Sequence, residues 1–110
     1  MYMLIKTSKE EIEKRGSLFE AARGHWRIDT SRAANCSHAI IALRGNKDIK
    51  AVYKIDKWYP STLLEGRHVF AGSEDEQLER ALKGQVLNKK LTVQGQNYPI
   101  LYVKENEILD

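Results

Sequence analysis

Two strand-length runs joined by four turn residues constrain this chain more than any other feature. Residues 38–44 read His-Ala-Ile-Ile-Ala-Leu-Arg and residues 49–55 read Ile-Lys-Ala-Val-Tyr-Lys-Ile, with Gly45-Asn46-Lys47-Asp48 between them. A polar, glycine-led turn between two β-rich runs predicts a hairpin. The first run is apolar almost throughout, as in a central strand. In the second, Ile49, Ala51, Tyr53 and Ile55 alternate with Lys50, Val52 and Lys54. One face is therefore expected in the core and the other largely in water. The hairpin is expected to end at Trp58-Tyr59-Pro60, with a loop over 61–66.

The flanking sequence predicts short elements. Residues 2–6 have strand character. Ser8 stands three residues before Glu11, and Ser17 three before Glu20, the spacing at which a hydroxyl and a carboxylate satisfy free amides at a helix start. Helices are expected over 9–15 and on to Ala22, with Ile12, Leu18, Phe19 and Ala22 facing the core and Gly24 as a left-handed stop. Asp29-Thr30-Ser31 opens a helical turn to about Asn35. A strand at His68–Phe70 leads to a helix from Glu74 to about Lys83, introduced by Ser73 and Glu76. Further strands are expected around 90–93 and 100–103, with a loose tail over 105–110. No boundary, repeat or linker stands out, so residues 1–110 read as a single domain. About five short strands with two or three short helices predict an α+β fold, its mostly antiparallel sheet curved or curled into a partial β-barrel. A βαβ rhythm and a glycine-rich strand–helix loop are both missing, which argues against a doubly wound fold.

Composition excludes several classes. With 42% hydrophobic and 30% charged residues, the chain resembles a folded globular protein rather than a disordered one. No run approaches the roughly 18 apolar residues of a membrane span. The lone cysteine, Cys36, allows no intrachain disulfide, and with no apolar leader the expectation is a cytoplasmic protein. A net charge of +3 and a pI of about 9.0 suit polyanionic partners.

The sequence offers little for catalysis. His25, His38 and His68 fall in separate segments without metal-ligand spacing, so no metal and no cofactor are expected. Cys36 and His38 are read as a packed thiol and a strand-opening histidine rather than a nucleophile–base pair. Glu10, Glu11 and Glu13 lie on one helix surface and Glu74, Asp75, Glu76 and Glu79 on another, as solvated faces do. Asp48 or Asp56 with Lys54 gives only a faint nuclease pattern.

Three segments stand out instead. Arg23-Gly24-His25-Trp26-Arg27 sets cations beside an indole at an element boundary. Lys57, Trp58 and Tyr59 follow the hairpin, and Gln96 and Asn97 sit in a turn before Tyr98. An aromatic plane, edge-reading amides and cations for phosphate are what binding a base or nucleotide requires. The expected ligand-binding set is Arg23, His25, Trp26, Arg27, Lys57, Trp58, Tyr59, Gln96 and Asn97. Taken singly, each has a purely structural reading: either indole can fill a core, Arg23 can balance a helix dipole, and Gln96 and Asn97 can serve the turn.

The order Arg23-Gly24-x-Trp26, the strand pair leading to Trp58, Phe70-x-Gly72 and "NYPILYV" resembles small accessory domains of bacterial and phage proteins, some attached to GIY-YIG-type nucleases. The hairpin is also similar to that of the PUA-like group, which includes ASCH, EVE and YTH domains. The second resemblance implies binding of RNA, or of a modified or flipped base, with Trp26, Trp58 and Tyr59 as pocket walls and Arg23 and Arg27 facing phosphate. No nuclease signature accompanies the domain.

The expected function is thus a non-catalytic module for nucleic acid or a nucleotide, whether RNA, DNA or a modified base, away from any membrane. The alternatives are a phage or defence-associated protein that binds a host protein or sequesters a signalling nucleotide, and a metal-dependent nuclease.

Overall fold

A computed structural model describes residues 1–93 and 99–109. Its centre is the pairing of β1 (Tyr2–Thr7) with β2 (His38–Leu43), which run parallel from Tyr2↔His38 to Thr7↔Leu43. Both strands are covered on both faces, as their unbroken apolar runs require. β2 forms the expected antiparallel hairpin with β3 (Ile49–Pro60), which pairs on its far side with β4 (His68–Glu74). β5 (Ile100–Val103) lies antiparallel on the other flank of β1, completing the order β4-β3-β2-β1-β5.

The fold is α+β, as expected, but the sheet is mixed and open rather than closed into a partial barrel. Three of its four pairings are antiparallel; the central one is not. That parallel pair needs a crossover, supplied by α1 (Lys9–Arg15), α2 (Leu18–Arg23) and α3 (Thr30–Ala34). A strand–helix–strand unit is therefore present where the sequence suggested none. With α4 (Glu76–Leu82) and α5 (Lys89–Val93), the described residues contain five short helices instead of two or three. The strand expected around 90–93 is part of α5.

Strand alternation divides the core between the two faces. Met3, Ile5, Ala39, Ile41, Tyr53 and Phe70 pack with Ala22, Ala33 and Cys36 of the crossover. Leu4, Ile40, Val52 and Val103 pack on the other side with Leu82, Leu87 and Ile108. The segment after Lys104 is accordingly not loose as far as it is described: Ile108 is buried and Leu109 bridges Leu87. Val52, expected in water, is fully buried because helices cover both faces.

Local chemistry accounts for the element ends. The hydroxyls of Ser8 and Ser17 accept from the amides of Glu11 and Glu20, as the spacing predicted. At α4 the cap is Asp75, which accepts from Leu78, and Ser73 remains in β4. Gly24 does not form a left-handed stop: its backbone is extended. It is needed for space, since a Cβ there would lie 2.2 Å from Val69 Cγ1.

β3 runs on from the 49–55 stretch through Trp58, Tyr59 and Pro60, where the hairpin was expected to end. Its register shifts at two places, between Ile41 and Ala42 of the partner β2 and between Ile55 and Lys57 of its own chain. The extra residue at each changes which face the following side chains occupy. The first puts Ile49 and Ala51 into opposite cores, and the second brings Trp58 onto the same face as Tyr53. Gly72, opposite Ile55 at the second bulge, permits the close approach, because a Cβ there would lie 2.0 Å from the carbonyl oxygen of Lys54. Gly72→Ala is expected to destabilise the fold by about 1–3 kcal/mol, the usual cost of overpacking. Urea unfolding measures it, and a value near zero would mean that the bulge is not this tight.

Candidate functional site

Where β1 and β2 end, the chain leaves both strands at the same edge and two adjoining hollows open. The inner one, about 400 Å³, is floored by Thr7, which is buried, and by Gly24. Trp26, Leu64 and Pro99 supply apolar wall. Arg15 reaches it from α1, Arg44 from the end of β2 and Arg67 from the start of β4, with Glu11 as the opposing acid. The outer hollow, about 600 Å³, is bordered by Tyr59, Lys14, Arg23 and Glu20. Arg15 and His25 line both hollows.

Hydrogen bonds fix much of this wall. Trp26 exchanges backbone bonds with His68, Trp26 N–H to His68 O at 2.9 Å and His68 N–H to Trp26 O at 2.8 Å, so the segment extends the sheet beyond β4. The Trp26 indole N–H donates to Ala22 O at 2.7 Å. Arg67 Nη1 donates to His25 O at 3.2 Å, and His25 Nδ1 lies 2.5 Å from Ser61 Oγ. Arg23 is committed to the scaffold: Nε donates to Phe70 O and Nη1 pairs with Glu20.

Two buried donors beside the inner hollow lack hydrogen-bond partners among the described residues: Thr7 Oγ1, and Arg15 Nε, which is ion-paired with Glu11 at 3.6 Å. Thr7 shares strand parity with Met3 and Ile5 and so faces the crossover helices. Lys6 shares parity with Leu4; its ammonium donates to Leu91 O, and burial together with Arg44 holds its pKa below the ordinary lysine value. His25 is also held below its ordinary value, first by desolvation and then by Arg15, Arg23 and Arg67, with Glu20 opposing. The surroundings of His25 therefore repel positive charge.

The structure divides the sequence-predicted residues among different places. His25 lines both basic hollows, Trp26 the inner one, and Arg23 and Tyr59 the outer one. Lys57 and Trp58 line a separate hollow of about 350 Å³ with Ile28 and Cys36. The Trp58 ring packs 5.4 Å from Phe70, and its indole N–H has no partner among the described residues. Arg27 is exposed and lines none of these hollows. Gln96 and Asn97 lie outside the described residues. Sequence reasoning missed Thr7, Arg15, Arg44 and Arg67; each follows or ends an element, or directly precedes one, and a cation count at element ends would have singled out the three arginines.

The catalytic patterns do not assemble. Burial pushes the Cys36 thiol up from its ordinary pKa, and its Sγ points to Arg32 O. His38 instead links Ser37 Oγ and Asp75 Oδ2, each at 2.8 Å. Ser37 N–H is spent on Met1 O and Asp75 Oδ1 on the cap of α4. This series ties the start of β2 to α4. Asp48, directly before β3, and Asp56 within it stand eight positions apart, roughly 26 Å at about 3.3 Å per residue. Among the described residues no group of three or more His, Cys, Asp or Glu is placed to hold a metal ion. Among those residues, too, no helix is long and apolar enough to cross a membrane.

No protein-family model, no curated protein and no solved structure matches this chain. Its chemistry must therefore be read from the two basic hollows themselves.

A pH experiment tests their electrostatics. Because the folded state holds the His25 pKa below its unfolded value of about 6.5, the unfolded chain takes up the proton first on acidification. His25 thus lowers stability as pH falls below about 6.5 and contributes nothing above it. The thermal midpoint of His25→Gln is expected to fall less than that of the parent between about pH 7 and 5. Parallel curves would show that His25 is not held neutral.

Proposed function

We propose that this chain is a non-catalytic module that binds nucleic acid or a nucleotide, with phosphate in the inner hollow and a base against Tyr59 in the outer one. The observation that carries this reading is the convergence of Arg15, Arg44 and Arg67 from three separate elements, opposed by the single carboxylate of Glu11. Cations on one surface element are ordinary, but three brought together in a concave site repel one another and attract anions. Planar guanidinium groups suit phosphate because they offer paired donors. Tyr59, 43% exposed, offers a ring face beside this charge, and Lys57 Nζ lies 5.1 Å from the ring centroid.

The site keeps His25, Trp26, Arg23 and Tyr59 from the sequence-derived set and adds Thr7, Arg15, Arg44 and Arg67. Arg23 acts by holding the wall, and Trp26 by closing the hollow and extending the sheet. Trp58 is a packing residue with one side on a different hollow.

Fluorescence anisotropy with labelled single-stranded RNA and DNA across a salt series tests the reading. Binding is expected to weaken as salt rises, as phosphate contacts dictate. The double variant Arg15→Gln/Arg67→Gln is expected to lose about tenfold or more in affinity and to flatten the log–log salt slope by about 0.7 per lost phosphate contact. Tyr59→Ala is expected to lose roughly 1–3 kcal/mol of binding, the range for one stacked base, with an unchanged unfolding midpoint. Parental affinity in folded samples of both variants would place binding elsewhere.

A further inference from the structure

We propose that the inner hollow is specific for a phosphomonoester, the terminal phosphate of a nucleotide or strand end, rather than for an internal phosphodiester. This rests on the reading of the cleft as a phosphate-binding site and commits it to one ligand chemistry.

Charge is the first argument. Lys6 lines the hollow, but its ammonium is engaged with Leu91 O on the opposite face of the sheet. A bond to a neutral carbonyl leaves that charge in place, so Lys6, Arg15, Arg44 and Arg67 against Glu11 leave three uncompensated positive charges. A phosphomonoester carries about −1.5 to −2 near pH 7, whereas each internal diester carries one negative charge. The monoester offsets half or more of the excess, and a diester offsets only a third.

Shape is the second. The floor is made by the end of a buried strand: Thr7 is only 2% exposed, and Gly24 beside it is buried. Val69 packs directly against Gly24, where a Cβ would meet its Cγ1 at 2.2 Å, so the floor is closed on that side. A running strand must enter and leave a diester site, whereas a terminal group needs one opening.

Donor chemistry is the third. Thr7 Oγ1 and Arg15 Nε are shut off from solvent, the first without a hydrogen-bond partner among the described residues and the second with only Glu11 Oε2 beyond hydrogen-bond reach. A terminal phosphate presents three strong acceptor oxygens. The Ser8 hydroxyl accepts from Glu11 N–H and retains its own proton to donate. Glu11 Oε2, 3.6 Å from Arg15 Nε, competes with the incoming phosphate for that guanidinium.

Calorimetric titration of the whole chain provides the test, with four probes: a nucleoside 5′-monophosphate, its methyl phosphodiester, and one oligonucleotide with and without a 5′-phosphate. The monophosphate is expected to bind at least about tenfold more tightly than its methyl ester, a difference of about 1.4 kcal/mol. Affinity should fall as pH drops below the second phosphate pKa of about 6. Glu11→Gln is expected to raise affinity severalfold, and Thr7→Val to lower it where Thr7→Ser does not. The oligonucleotide pair distinguishes the source: a gain from the 5′-phosphate assigns strand ends as well, and no gain together with mononucleotide binding restricts the ligand to free nucleotides. Equal binding of monoester and methyl ester, or tight binding of the unphosphorylated strand without competition from the monophosphate, overturns the monoester assignment and leaves the cleft as a general nucleic-acid site. Failure of every probe to bind overturns both readings.

Discussion

The parallel pairing of β1 and β2, covered on both faces, is the constraint on which the other features depend. Parallel strands cannot be joined by a tight turn, so thirty or so residues between them must cross one face of the sheet. They do so as three capped helical pieces that bury Ala22, Ala33 and Cys36 against Met3, Ile5 and Ile41. The opposite face must then be covered as well, which α4 and the segments around Leu87 and Ile108 accomplish. Both strands also end at the same edge. The chain diverges there, toward α1 after Thr7 and into the turn after Leu43, and the divergence makes the crevice. Open sheets commonly bind ligands in this position, at the carboxyl ends of parallel strands.

The second bulge in β3 connects the core to the outer part of the site. Without the extra residue between Ile55 and Lys57, strict alternation would put Lys57 on the face of Tyr53 and Ile55 and send Trp58 to the other side. With it, Trp58 packs against Phe70 and Tyr59 is left exposed beside the outer hollow. One inserted residue thus decides which aromatic stabilises the fold and which is left exposed. Gly72 belongs to the same device, because only a residue without Cβ fits opposite the carbonyl of Lys54.

What was legible in the sequence is what depends on near neighbours. The hairpin of β2 and β3, the serine caps at Ser8 and Ser17, and the buried character of the 38–44 run all follow from spacing within a few residues. The β1–β2 pairing joins residues 36 positions apart in each register pair, and no local pattern encodes it. Misreading the helix α5 as a strand has a similar cause, since Lys-Lys-Leu-Thr-Val has β-rich composition and too few residues for a period to show. At the site, Arg23, His25, Trp26 and Tyr59 were recognisable because cations and aromatics are adjacent in the sequence. Arg15, Arg44 and Arg67 sit in unrelated surroundings, and only the fold brings them together. Trp58 satisfied the same composition rule as Tyr59; the bulge separates them, and composition cannot show a bulge.

The inner hollow carries a local conflict that bears on its purpose. Like charges gathered near a partly desolvated imidazole work against folding, and the pKa of His25 is lowered first by that desolvation and then by Arg15, Arg23 and Arg67. Glu20 offsets part of it, while Glu10 and Glu13, on the same helix as Glu11, remain exposed. Only Glu11 is directed toward the hollow. Local rules are most often broken where function requires it. An anion bound among these arginines removes the repulsion in the folded state alone, so it raises stability by mass action and raises the His25 pKa as it neutralises the surrounding field. The same electrostatic arrangement that weakens the free fold would therefore couple a bound anion to folding stability and to the protonation of one histidine.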